Sequence, residues 1–203
     1  MSEIHDVAAE PEGDAELFVD FINTLELTDG QPEDHLPDAA ALRSWLYERN
    51  LCGARQPLAD IDASLPAFRD LRAALYDTTG RLAAGKRPTA AQVKLLNAAM
   101  RDGLHYHQIK PVDGGSRFTV AQVGDELAQA RASIAGSLAH YLAEHDLGRV
   151  RVCANDGCRW RFIDRSPAGR RRWCDMRTCG NRAKVARHRA RARVAAPAAA
   201  ADR

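Results

Sequence analysis

Two pairs of cysteines near the end of the chain have the spacing of a metal site. Cys153 and Cys158 form one C-x4-C pair, Cys174 and Cys179 form a second, and 15 residues lie between the pairs. Four thiolates match a tetrahedral structural zinc site, in which the protein occupies every coordination position. In a reducing compartment this pattern favours zinc over disulfides. The spacing predicts one structural Zn²⁺ ion, with an iron–sulfur cluster as the alternative.

The segment between the two pairs predicts a β-hairpin. Trp160 and Phe162 alternate with arginines, as on a half-buried strand. Residues 166–169 have turn chemistry, and residues 171–173 can form the return strand. Trp160, Phe162 and Trp173 would make a core too small to fold without a metal. The sequence after Cys179 is strongly helical, so the order of knuckle, hairpin, second pair and helix predicts a treble-clef-like zinc finger.

Charge is divided unevenly along the chain. Residues 1–148 hold 13 Lys/Arg and 23 Asp/Glu, a net charge of −10, whereas residues 149–193 hold 15 and 3, a net charge of +12. A basic segment on an acidic body predicts a polyanionic partner, most commonly nucleic acid. Fourteen of the 15 cations are arginine, whose planar fork suits phosphate and guanine. The alternatives are a solvated basic tail and an autoinhibited state in which the body holds the tail.

The candidate nucleic-acid-binding residues are the cations around and after the second cysteine pair. They are Arg170, Arg171, Arg172, Arg177, Arg182, Lys184, Arg187, Arg189, Arg191 and Arg193.

A helix over about residues 180–193 would carry most of these cations. Ala183, Ala186 and Ala190 share one face of it, which predicts close contact with the zinc module. Arg182, beside Cys179, has two candidate roles: stabilising the negatively charged zinc–thiolate centre, or contacting DNA.

The acidic body reads as mainly helical. Apolar residues from Leu17 to Leu25 follow helical spacing in the first predicted helix, and Asp38, Ser64 and Thr89 are candidate N-caps of later ones. Two short runs around residues 113–115 predict a β-hairpin, and a long helix closes the body. The predicted fold class is mainly α with a small β-hairpin. A helical N-terminal domain (1–148) precedes a zinc finger with a basic helix (149–194) and a disordered tail (195–203).

The termini give further expectations. The acidic opening lacks the layout of a signal peptide, and no run of 18 apolar residues occurs, which predicts a cytoplasmic protein that does not span a membrane. Residues 1–15 are expected to be disordered.

Catalytic motifs are missing from the sequence. It has no phosphate-binding loop, dinucleotide fingerprint or serine-nucleophile motif, so we expect no enzyme. A candidate ligand pocket would use Asp20, Asn23, His105 and His107, and an enzyme with a site among these residues is the alternative. Cys52 stands apart from the other cysteines and reads as a buried apolar residue.

The stretch "RWCDMRTCGNRAKVARHRAR", the four cysteines, and Phe162, Asp164 and Ser166 resemble the bacterial CGNR zinc-finger family. In that family the finger follows an N-terminal ABATE domain, whose opening motif resembles "LFVDFINT" here. The resemblance implies a stress-linked transcription regulator whose finger binds DNA, preferred on this ground over RNA. It also implies an N-terminal domain that senses a small-molecule ligand. A homodimer is expected by analogy with regulators that read paired half-sites. An RNA-binding or ribosome-associated factor is the alternative.

Overall fold

The computed structural model describes residues 16–28, 30–112 and 117–195. Its helices are α1 (Leu17–Ile22), α2 (Ala39–Glu48), α3 (Leu58–Ala83), α4 (Ala90–Asp102), α5 (Glu126–Glu144) and α6 (Asn181–Ala195). Its strands are β1 (Leu25–Thr28), β2 (Gln31–Asp34), β3 (Tyr106–Val112), β4 (Arg117–Val123), β5 (Val150–Val152) and β6 (Arg161–Ile163). They form three antiparallel pairs, β1–β2, β3–β4 and β5–β6. The mainly helical fold class is thus confirmed.

The long helix α3 lies at the centre of the body. It contacts α1, α2, α4 and α5, and the apolar faces of these helices form one core. Phe18, Phe21 and Phe68 are almost fully buried there. Burial of each such ring stabilises the fold by about 1.5–3 kcal/mol. Strand β5 adds Val150 to the same core, although this residue belongs to the segment after the body. Within the described residues, no helix has the length and apolar character needed to cross a bilayer.

Several predicted elements are confirmed. The Asp38 carboxylate accepts a hydrogen bond from the Ala41 N–H at 2.9 Å and caps α2. Thr89 and Gln92 form a reciprocal capping box at the start of α4. The predicted hairpin is the β3–β4 ribbon, and its predicted turn at residues 113–115 lies outside the described residues. The expectations of disorder for residues 1–15 and for the tail beyond residue 195 also lie outside them, whereas Ala195 itself ends α6.

Two helix boundaries differ from the sequence-based expectation. The first helix was expected to run through Leu25, but α1 ends at Ile22 and Leu25 begins a hairpin in which it lies opposite Asp34. The third helix begins at Leu58 and not after Ser64. Ile61 and Leu65 are buried and extend its apolar face toward the N-terminus, which outweighs the cost of Pro66 within the helix.

The zinc-finger hairpin pairs strands other than those expected. Residues 171–173 are not a strand; β6 pairs instead with β5, which precedes the first cysteine pair. The Cys153–Cys158 knuckle is therefore the loop of the hairpin. The reason lies in the body, because burial of Val150 in the main core fixes β5 where β6 can pair with it. The segment near residue 172 is held by one backbone bond, from Ala154 N–H to Arg172 C=O at 2.7 Å.

A buried ion pair fastens β2 to α3. Both terminal nitrogens of Arg72 bond the Asp34 carboxylate at 2.7 Å, and the Arg72 side chain is only 6 % exposed. The same guanidinium also donates to Thr24 Oγ1 at 2.9 Å. Bidentate geometry of this kind is the strong form of an ion pair. It holds the first hairpin against the body.

Replacing Asp34 with asparagine should lower the free energy of unfolding by about 2 kcal/mol at neutral pH, because Arg72 stays buried without its charged partner. The Arg72 hydrogen bond, opposed by burial, holds the pKa of Asp34 below its ordinary value of 3.8. A depressed carboxyl pKa contributes stability above the unfolded pKa, and this is lost as pH falls through the folded pKa. In urea unfolding at a series of pH values, the difference should therefore shrink in acid.

The matched control is Asp70→Asn, an exposed position on α3. It should change the free energy of unfolding by less than about 0.5 kcal/mol. An equal loss for Asp34→Asn at all pH values would contradict the assigned role of the ion pair.

Candidate metal centre and nucleic-acid interface

The four finger cysteines converge on one point. The Sγ atoms of Cys153, Cys158, Cys174 and Cys179 all lie within 4.8 Å of one another. Sγ of Cys174 is 3.8 Å from that of Cys158 and 3.7 Å from that of Cys179. Zinc–sulfur bonds of tetrahedral geometry place their sulfurs ~3.8 Å apart. The donor set and its spacing therefore fit one structural zinc ion, with no coordination position left for a substrate.

The surroundings of the thiols make metal the natural partner of the cluster. Burial raises the pKa of Cys158 to about 11, and burial together with the neighbouring sulfurs of Cys153 and Cys158 raises the pKa of Cys174 further. Burial also acts to raise the pKa of Cys179, but the hydrogen bond from Asn155 and the contacts of the other thiols outweigh it and lower that pKa. A zinc ion replaces the thiol protons and holds all four sulfurs as thiolates.

Asn155 joins the two cysteine pairs, a role that sequence reasoning missed. Its Nδ2 donates to Cys179 Sγ at 3.4 Å, and its Oδ1 accepts from the Gly157 N–H at 3.2 Å. Its backbone carbonyl accepts from the N–H of Cys158 at 2.9 Å, which closes the knuckle. An asparagine two residues before a glycine is a turn signal, but its reach to Cys179 is long-range and leaves no local pattern.

Strand β6 adds hydrogen bonds to the contact that β5 makes between the finger and the body. The Asn23 carboxamide donates to the Arg161 carbonyl at 2.8 Å and accepts from the Arg161 N–H at 2.9 Å, as a neighbouring strand would. The Arg161 guanidinium is buried and lies 3.7 Å from the ring centre of Tyr76 on α3. Burial lowers the pKa of this guanidinium. Farther out, Arg165 and Glu16 form an exposed ion pair.

Two family models divide the chain at this junction. The ABATE model, described as "Putative stress-induced transcription regulator", matches residues 15–145, and the model described as CGNR zinc finger matches residues 149–192. The chain belongs to the ABATE family. The predicted resemblance and its order of segments are confirmed. No curated protein matches the chain.

The first three residues of the CGNR motif each have a physical reason. Cys179 is a metal ligand, and a Cβ on Gly180 would lie 2.5 Å from Met176 Sδ, so the glycine permits close contact. The Asn181 side chain donates to the Arg177 carbonyl at 3.0 Å, a side-chain-to-backbone bond at the start of α6. Asp175 caps the wide helical turn before α6 by accepting from the N–H groups of Arg177 and Thr178.

Asp164 organises the loop that leads to the second cysteine pair. Its Oδ1 accepts from Ser166 N–H at 3.0 Å and Ser166 Oγ at 2.6 Å, and its Oδ2 accepts from Arg171 N–H at 2.8 Å. The residue is 1 % exposed, and these bonds hold its pKa below the ordinary value against the effect of burial. This accounts for Asp164 and Ser166 in the family motif, while Phe162 supplies the buried ring beneath Arg171.

The proposed ligand-pocket residues do not form a common cluster. Asp20 is largely exposed and pairs weakly with Arg49 at 3.7 Å, while Asn23 is buried and engaged by Arg161. His107 belongs to β3 and His105 immediately precedes this strand; their ring centres are 5.7 Å apart, and both residues are exposed. Two clefts in the described structure are lined by other residues, and none of the four proposed ligand-pocket residues lines either cleft. Cys52 is buried apart from the zinc site, and burial raises the pKa of its thiol.

The arginines of the finger fall into two groups. Some of them hold loops in place through hydrogen bonds to the backbone. Arg149 donates to the Ser166 carbonyl, Arg151 to the Gly169 carbonyl, and Arg171 to the Cys174 carbonyl. Others are exposed and, within the described structure, form no ion pair with a carboxylate. These are Arg159, Arg170, Arg172, Arg177, Lys184, Arg187, Arg189 and Arg191. Arg182 is exposed as well, and the side chain of Arg193 lies outside the described part.

Helix α6 extends away from the zinc module. Ala183 is half-buried, as expected for the contact face, but Ala186 is exposed, so the predicted alanine contact covers only the first turn. The side chain of Ala190 is not among those described. The reason is that the main contacts of α6 are with the turn Met176–Gly180, which is too short to cover the rest of the helix. Residues 184–189 therefore present their side chains to solvent on every side.

Purified CGNR protein should contain one zinc ion per chain by elemental analysis. Cys174→Ser should lose most of this zinc and melt at a lower temperature, because binding free energy of the metal is folding free energy. Asn155→Ala removes a bond to a ligand sulfur and should weaken zinc affinity roughly 10–100-fold in a chelator competition. Cys52→Ser is the control and should keep its zinc, whereas zinc loss from it would contradict the assigned ligand set.

Asn23→Asp tests the junction between the ABATE domain and the finger. Aspartate has almost the same shape but cannot donate to the Arg161 carbonyl, so we expect a loss of about 2 kcal/mol in unfolding free energy. Trypsin should then cleave the finger faster than in the parent protein. Asp20→Asn, in the neighbouring exposed position, should change neither measurement. If Asn23→Asp behaves like this control, the carboxamide does not hold the finger in place.

Proposed function

We propose that the chain is a DNA-binding transcription regulator in which the CGNR finger contacts nucleic acid and the ABATE domain carries the regulatory input. No catalytic role is assigned to it. The strongest support for this proposal is that the arginines of the finger fall into two groups. Some of its arginines donate to backbone carbonyls, whereas a second set is exposed and, among the described residues, has no carboxylate partner. Unpaired cations repel one another unless a polyanion or salt screens them.

The shape of the cationic surface suits a duplex. Helix α6 has 15 residues, roughly 22 Å of length, and an α-helix fits the major groove of B-DNA. Beside its start, a cleft lined by Arg170, Arg172, Trp173 and Met176 continues the cationic surface. Zinc has a structural part in this proposal, since it fixes the turn from which α6 begins. Phosphate contacts of this kind position the protein and do not by themselves read a base sequence.

The body–finger junction is where an input could reach the finger. A second cleft, of about 440 Å³, is lined by three cations, Arg81 and Lys86 of the body and Arg161 of the finger, and by one carboxylate, that of Asp77. A small anionic ligand held there would contact both parts at once. This assigns ligand sensing to the junction and not to Asp20, His105 and His107.

The test is fluorescence anisotropy of a labelled mixed-sequence duplex with the zinc-loaded protein over a salt series. If six to ten phosphates are neutralised, affinity should fall by roughly 10³–10⁵ between ~50 and ~200 mM salt. Substituting Arg187, Arg189 and Arg191 together with glutamine should lower the slope of log affinity against log salt by roughly 3. Structured RNA of equal length, titrated at one salt concentration, distinguishes a DNA partner from an RNA partner.

The matched control changes the same charge elsewhere. Arg55, Arg87 and Arg101 are exposed on the body, and their joint substitution with glutamine removes three cations without touching α6. We expect binding by this control to stay close to the parent. Equal losses in the two triple variants would mean that only net charge matters. A flat salt response of the parent would refute nucleic-acid binding by the finger.

A further inference from the structure

The β3–β4 ribbon exposes large apolar side chains to solvent. Ile109 is 70 % exposed, Phe118 69 % and Val120 64 %. In the described part of the chain, β3 and β4 make their extensive contacts with each other, and no helix or other strand covers them. Two-stranded hairpins are marginal in water unless a further strand or helix packs on them. The ribbon is thus an element whose apolar surface has no partner within the described part of its own chain.

The register of the ribbon places its three most exposed apolar side chains on one face. Ile109 lies opposite Val120, and Pro111 lies opposite Phe118. Directly opposed residues of an antiparallel pair share a face. The other face mixes polar and apolar residues: Gln108, Lys110, Arg117 and Thr119 alternate there with Tyr106, Val112 and Val123.

The apolar face also lacks the charge that would suit a polyanion. Between His107 and the turn of the ribbon, the described side chains of this face include no lysine, arginine or carboxylate, because Lys110 and its partner Thr119 belong to the opposite face. Nucleic acid recognition would need cations here. A surface that is flat, apolar and uncharged favours burial against another apolar surface of the same kind.

The base of the ribbon is fixed to the body, which gives its apolar face a defined direction. At the end of α4, a Cβ on Gly103 would lie 2.9 Å from the Ala128 carbonyl oxygen of α5 and would also collide with Ala132. Only glycine allows this close approach. Strand β3 therefore leaves the α4–α5 pair from a tightly packed point, and an interface on the ribbon needs little reorganisation.

We propose that the apolar face formed by Ile109, Pro111, Phe118 and Val120 is a homodimer interface, in which the ribbons of two copies pack face to face. The area supports a second copy as the occupant. Ile109, Phe118 and Val120 expose roughly 400 Å² per copy, about half of the ~800 Å² that each partner buries in a stable interface. The remainder must come from flanking residues of the two ribbons. Two identical uncharged faces meet about a two-fold axis without opposing like charges.

This dimer would carry two CGNR fingers in one symmetric particle. The inference does not depend on nucleic-acid binding, because it rests on the ribbon alone.

The test is sedimentation velocity of the full zinc-loaded chain, without nucleic acid, from micromolar to submillimolar concentration. We expect the parent to sediment as a dimer. Ile109→Glu combined with Phe118→Glu should give a monomer, since it buries four carboxylates in the interface of two copies. The control is Gln108→Glu combined with Thr119→Glu, which adds the same charge to the same strands on the opposite face and should stay dimeric.

Zinc content and circular dichroism of each variant show whether its monomer is folded. Phe118→Ser provides a milder test, because it removes the ring without adding charge and should raise the dimer dissociation constant at least tenfold. A monomeric parent at all concentrations would overturn the proposal. So would a dimer that persists equally in both double variants, since the interface would then lie elsewhere. A folded monomeric variant that still binds duplex with a steep salt dependence separates this result from the proposed function.

Discussion

The backbone N–H and C=O groups of the short strand β6 need hydrogen-bond partners on both sides of the strand. This requirement determines how the finger is joined to the body. On one side β6 pairs with β5, whose first residue, Val150, is buried in the main core. On the other side the Asn23 carboxamide completes the bonds of Arg161. A buried backbone group without a partner costs about 1–3 kcal/mol, so the strand cannot leave one neighbour without losing bonds. The zinc site closes the hairpin loop and keeps β6 in register.

Arginine does two different physical tasks in the finger. Where the guanidinium is enclosed, as at Arg149, Arg151 and Arg161, its several donors tie loops that have too few side chains to form a core. Where it is exposed, as along α6, it raises the local positive potential. Composition alone counts both groups as basic charge. The net charge of the segment therefore overstates the number of cations that face a partner.

Features with local causes were predictable from the sequence, and features with distant causes were not. The Asp38 and Thr89 caps and the cysteine cluster depend on residues within a few positions or on a recurring spacing. The identity of the strand that pairs with β6 depends on burial of Val150 in a core built from distant helices. The role of Asn23 depends on a partner 138 residues away. No periodicity or propensity contains that kind of information.

The position of Val150 has a consequence for how the molecule comes apart. The two family segments meet between residues 145 and 149, yet the core of the first contains a side chain contributed by the second. Separating the two segments there would leave a cavity among the helices of the body. It would also remove the contact that anchors strand β5 of the finger hairpin. Recombination of the two segments between relatives is thereby constrained, because a transplanted finger must bring an apolar residue that fills the recipient's vacancy. The segment that relatives could exchange is therefore smaller than the part of the chain that folds as one unit.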